Sequence, residues 1–134
     1  MLRWLYLYVS FIPVLWMMWT CQPDREVIRA YPVVTTQVTE ITQSSVMLEA
    51  GITGNLSGIL EYGFVWSVST VLDLNNGSHE VISGEPDQPW FSHNTGTVLA
   101  AGTPYYARAF VKTSELIIYG NMVSFTTPPG NPSE

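Results

Sequence analysis

Between residues 32 and 127 apolar side chains recur at every second position, and no stretch of useful length keeps the three-to-four spacing of a helix. Alternation puts successive side chains on opposite faces of an extended chain, so each segment turns one face to a core and one to water. The clearest case is Tyr105, Ala107, Ala109 and Val111, which alternate with Tyr106, Arg108, Phe110 and Lys112. Clusters of Gly, Pro, Asn and Ser cut the pattern into short lengths, the way strands joined by tight turns read. A chain so patterned is all-β, and it buries its apolar faces by packing one sheet on another.

The alternation predicts seven strands. Val34, Thr36, Val38 and Ile41 mark a first, edge-like strand, and Val46, Leu48, Ala50 and Ile52 turn inward from a second. A turn at residues 54–58 leads into a third, with Leu60, Tyr62, Phe64, Trp66 and Val68 on the heavier face. That face belongs in the core, where Trp66 supplies packing volume. Asn75, Asn76 and Gly77 read as a type I′ hairpin turn, because Asn-Gly tolerates the positive φ that such a turn needs. It would join a strand at 71–74 to one at 79–82. Two more strands are expected at 105–111 and 122–127. Seven short strands at this spacing predict a sandwich of the immunoglobulin-like kind.

Ahead of this domain the chemistry differs. Met1, Leu2 and Arg3 precede an apolar stretch from Trp4 to Trp19, broken only by Ser10 and Pro13. The sole cysteine, Cys21, stands where this stretch gives way to Gln22, Pro23, Asp24, Arg25 and Glu26. A charged start, an apolar middle and a polar boundary describe a secretory signal. A single cysteine at the boundary makes residues 1–20 resemble a bacterial lipoprotein signal, which implies acylation of Cys21. Met18 and Trp19 are bulkier than that signal's usual residues. An uncleaved anchor is the first alternative, although sixteen apolar residues are short of the roughly 20 that span a bilayer. An ordinary secreted chain is the second, and it lacks an Ala-x-Ala-like cleavage site. One cysteine also excludes an internal disulfide.

Without residues 1–20 the chain carries 4 basic and 11 acidic side chains, a net charge of −7. That balance argues against nucleic acid and anionic headgroups, both of which need basic patches. Residues 22–31 are polar and read as a tether, with an r.m.s. reach of about 17 Å. Residues 128–134, rich in Pro and Gly, read as a tail. One domain, 32–127, lies between, and it is expected to be monomeric.

Within that domain the segment from Leu99 through Gly102, Thr103, Pro104 and Tyr105 to Phe110 resembles the entry to strand F of fibronectin type III domains. Tyr105, Tyr106, Arg108, Ala109 and Phe110, then Tyr119-Gly120-Asn121 and Phe125-Thr126-Thr127, are similar to the variant found in bacterial envelope lipoproteins. Gly63-Phe64-Val65-Trp66-Ser67 resembles its strand C. The resemblance covers about 32–127 and implies a fibronectin type III-like sandwich. It also implies that the Tyr105 hydroxyl bonds back to the main chain. Ala101 departs from the family's proline. The family's strand-B tryptophan is absent, so Trp66 and Tyr62 are expected to fill its volume. By the same likeness the protein would sit in the bacterial cell envelope, held by lipid at the outer membrane.

Catalytic groupings are sparse. His79 and His93 are the only histidines, and no nucleophile–base grouping can be built on them. Asp73, Glu80, Glu85 and Asp87 offer carboxylates for glycoside hydrolysis, but so small a domain has no deep cleft to hold them. Asp73, Asn75 and Gly77 begin like a calcium loop, yet Gly84 stands where an EF-hand needs glutamate. A weak site using Asp73 and Asp87 is the remaining metal alternative. Neither an enzyme nor a cofactor or metal is expected. The remaining cluster is Asp87, Gln88, Trp90 and Phe91, in which aromatics adjoin amide and carboxylate groups. It reads either as a sugar-stacking platform or as a sheet edge that buries one ring and exposes the other. The expected function is non-catalytic binding or adhesion to an envelope protein or extracellular polymer, with glycan recognition through Trp90 as the alternative.

Overall fold

The computed structural model describes residues 31–131. Cys21, the signal segment and most of the tether lie outside these residues, as does the end of the tail. The described chain is a β-sandwich of eight strands. They are β1 (Val33–Ile41), β2 (Val46–Thr53), β3 (Ile59–Ser67), β4 (Ser78–Ser83), β5 (Trp90–Asn94), β6 (Pro104–Thr113), β7 (Ile117–Tyr119) and β8 (Val123–Thr126). One sheet has the order β1-β2-β5. The other has the order β4-β3-β6-β7, with β8 also pairing with β6, and every pairing is antiparallel.

The core lies where the alternation places it. Val46, Leu48, Ala50 and Ile52 from β2 meet Phe64 and Trp66 from β3 and Ala107, Ala109 and Val111 from β6. Tyr62 and Tyr105 pack against this cluster from its margin. The volume beside Ala50 is filled from the same sheet: Phe91 pairs with Ala50, its ring centroid 4.9 Å from Tyr62 and 5.0 Å from Phe64. Tyr62 thus contributes to this volume, and Phe91 is a partner that the family likeness does not supply.

The strand count differs from expectation at three places. Residues 71–74 form no strand. Asp73 Oδ1 accepts the amides of Asn75 and Asn76 at 2.7 and 2.9 Å, and Asn76 N also donates to Asp73 O at 3.1 Å. This tight local turn competes with any ladder, so β3 pairs directly with β4, Trp66 opposite Ser78. Strand β5 starts at Trp90, and β7 precedes β8 along one side of β6 with a break at Gly120, Asn121 and Met122.

Leu60 and Val68 depart from the inward row assigned to them, at 51% and 61% exposed. A register shift between Ile59 and Glu61 reverses the parity of the strand, burying Ile59 instead of Leu60, and Val68 falls beyond the last residue of β3. Phe110 differs in the opposite sense. It points away from the main core, as its parity requires, but is fully buried. Leu72 and the partly buried Leu74, Tyr106 and Tyr119 cover it and Val65 in a second, smaller cluster.

The inter-strand turns gather at two poles. Tyr31 and Pro32 lie with Asn55, Ser57 and Gly58 and with Thr113, Ser114 and Glu115 at the pole where the chain enters. At the opposite pole Leu99 N donates to Ser44 O and Gly102 N to Pro128 O, where β8 ends.

Candidate binding surface

Trp90 opens β5, an edge strand, and its side chain stands on the outer face of the three-stranded sheet, 61% exposed. The next residue, Phe91, points the other way and is buried in the core. Alternation along β5 therefore buries the Phe91 side chain and leaves that of Trp90 in water. Asp87 and Gln88 are exposed in the β4–β5 loop, and neither lines the groove beside Trp90.

That groove has a volume of about 600 Å³. Its outward side chains follow from register. Trp90 is opposite Gly51 and Gly51 opposite Thr35; in the next row Ser92 is opposite Glu49 and Glu49 opposite Gln37. Adjacent strands lie about 4.8 Å apart, and same-face residues along a strand about 6.8 Å apart. The arrangement is therefore two rows of three positions with the indole at one corner. Gly51 leaves a gap beside it, and a Cβ there would come within 3.0 Å of Thr35 Oγ1. Asn121 closes one side of the groove. Its amide accepts from Thr36 N at 2.8 Å and donates to Thr36 O at 3.1 Å.

Thr35, Gln37, Glu49, Gly51 and Ser92 are not among the candidates that the sequence singles out. Each has outward parity on its own strand, a legible signal. What joins them is the pairing of β2 with β5 across about 40 residues of chain, and local pattern does not reveal it.

The other candidates are dispersed. Asp73 and Asp87 lie beyond opposite ends of β4, whose six residues span roughly 20 Å, so they cannot share a cation. Among the described residues no group of three or more His, Cys, Asp or Glu side chains is placed to hold a metal. The histidines are on strands rather than in loops: His79 is exposed on β4, and His93 on β5 stacks on Trp66 with 5.8 Å between ring centroids. Tyr105 accepts a hydrogen bond from Ala100 N at 2.8 Å through its hydroxyl, and its ring stacks on Phe125 at 5.7 Å.

No protein-family model matches the sequence, and no curated protein matches it significantly. Solved structures do. The sensor domain of the anti-sigma factor RsgI4 of Pseudobacteroides cellulosolvens has a TM-score of 0.57 over 73% of this chain and 95% of its own, at 14% identity. A computationally redesigned β-sandwich protein has a TM-score of 0.48 over 73% of this chain and 94% of its own, at 15% identity. The likeness to the sensor domain is one of fold: this chain, too, is a β-sandwich.

Proposed function

We propose that this protein is a non-catalytic binding module of the bacterial cell envelope. It is held by a lipid on Cys21 and carried on a short tether, and its fibronectin type III-like sandwich is monomeric. Its contact surface is the groove on the outer face of β1, β2 and β5. The observation that carries this reading is the exposure of Trp90. A large aromatic left in water beside a groove, in a sandwich whose other described large rings apart from Tyr31 are buried wholly or in part, is the composition of a recognition surface. A sensor domain sharing the fold is compatible with a module that binds and does not turn over its ligand.

In-cell oxidative footprinting tests the surface without the ligand having to be identified. Trp90 in the purified full chain reacts readily with hydroxyl radical, whereas in intact envelopes it is protected several-fold relative to exposed Met122. Equal reactivity of Trp90 in the two samples removes this reading.

A further inference from the structure

We infer that the groove takes an uncharged glycan chain, with one sugar ring stacked on Trp90 over the gap at Gly51 and hydroxyls of the adjoining ring bonded to Gln37, Glu49 and Ser92. This rests on the groove being the contact surface and names the ligand class that it fits.

Three observations lead to a sugar. The first is the pairing of one flat apolar ring with a recess. Trp90 and Gly51 are direct cross-strand neighbours, and Thr35, one strand further on, is short. A pyranose has an apolar face of C–H groups that lies flat on an indole, and the missing side chain leaves room for it beside the ring. The second is the second row. A carboxylate such as Glu49 has room to accept from sugar hydroxyls beside the long bond it takes from Thr39 Oγ1 at 3.4 Å, Gln37 both donates and accepts, and the Ser92 hydroxyl does either. Vicinal hydroxyls on a sugar offer the same mixture. A protein partner calls instead for an anchor ringed by further apolar contacts that exclude water. The positions around Trp90 carry Thr35, Gln37, Glu49, Ser92 and no second exposed ring.

The third observation is charge. Residues 31–131 contain eight carboxylates and two cations. Neither cation is near the groove: Arg108 lies 4.1 Å over the Tyr119 ring, and Lys112 pairs with Glu61 at 3.4 Å, both on the other sheet. Glu49 meanwhile stands within the groove. Acidic polysaccharides are repelled by such a field, and neutral ones are not.

The full chain is screened on an array of neutral oligosaccharides, with polygalacturonate as the acidic control, and hits are titrated by calorimetry. A neutral oligosaccharide binds and polygalacturonate does not. Trp90→Ala weakens binding about tenfold or more, the loss of a stacking contact and its buried area. Gly51→Val fills the recess with a residue that suits a strand and lowers affinity. Thr35 Oγ1, 3.0 Å from the new Cβ, must shift, so the unfolding midpoint is measured alongside. Trp90→Ala, at an exposed position, tests the surface independently of folding. The inference is overturned if no neutral oligosaccharide binds, if polygalacturonate binds equally well, or if neither substitution weakens binding. If the array is blank while Trp90 remains protected in intact envelopes, the surface stands and its occupant is a protein. If Trp90 is also unprotected, both readings fall.

Discussion

Asn121 supplies the main chain of Thr36 with both a donor and an acceptor, and Thr36 Oγ1 in turn accepts from Ala109 N at 2.9 Å. One side-chain amide thus does for β1 what a neighbouring strand would do, and ties the three-stranded sheet to the other. Gly120 lets the chains approach, since a Cβ there would lie 2.8 Å from Thr36 Oγ1 and 3.0 Å from Val34 O. Tyr119 accepts from Leu74 N through its hydroxyl and carries the Arg108 guanidinium on its ring. The Tyr-Gly-Asn triplet is therefore three structural contacts in a row. Asn121→Ala is expected to lower stability by about 1–3 kcal/mol, read as a shift in the denaturant midpoint, because a partly buried amide and carbonyl lose their partners. Tyr105→Phe is expected to cost less, about 0.5–1.5 kcal/mol in the same assay, since Ala100 is exposed and water can replace the hydroxyl. The triplet and Tyr105 stand out in the sequence. The partner of Asn121, 85 residues away, does not, because a side-chain bond across two sheets leaves no periodic trace.

The strands whose faces differ strongly are the ones that period-two alternation locates. β2 follows it throughout, and β6 keeps it in the buried row of Ala107, Ala109 and Val111, although Phe110 on its other face is covered as well. It fails in two ways elsewhere. At β3 the shift after Ile59 reverses the faces, and no residue type announces it. In the β3–β4 loop, Leu72 looks like a strand residue but is a plug. Its side chain is almost fully buried with Val65 and Phe110 on the outer side of the five-stranded sheet. A loop that covers a sheet face is set by tertiary packing, so local pattern cannot distinguish it from a strand. Leu72→Ala should destabilise the sandwich by about 2–5 kcal/mol and increase the exposure of Phe110 and Tyr119, measurable by hydrogen exchange across β6. A loss below about 1 kcal/mol would mean that the loop is only laid over the sheet. Trp66→Ala, at the main core and beneath His93, is expected to cost about 3–5 kcal/mol in thermal or chemical denaturation.

At the scale of the molecule, the chain enters an acidic sandwich at the pole of Tyr31 and Pro32. If Cys21 carries the lipid, Cys21→Ser abolishes metabolic labelling by a fatty-acid analogue and blocks removal of residues 1–20. Two acyl chains of roughly 30 methylenes at about 0.8 kcal/mol each are then lost, and the described residues, with two cations against eight carboxylates, carry no basic patch to replace them. Labelling that survives the substitution excludes the lipoprotein reading. The strand directions carry a further, mechanical consequence. β1 starts at the entry pole and β8 ends at the opposite one, so a pull between these points runs along the strands. Load applied lengthwise strains the β1–β2 rungs, the β6–β8 rungs and the Asn121 clasp together. Load applied across a sheet would open them one at a time. Forced unfolding is governed by the height of the barrier and not by equilibrium stability alone. A sandwich strung in this direction holds its shape under tension by sliding resistance, and Asn121→Ala should lower its rupture force as well as its denaturant midpoint.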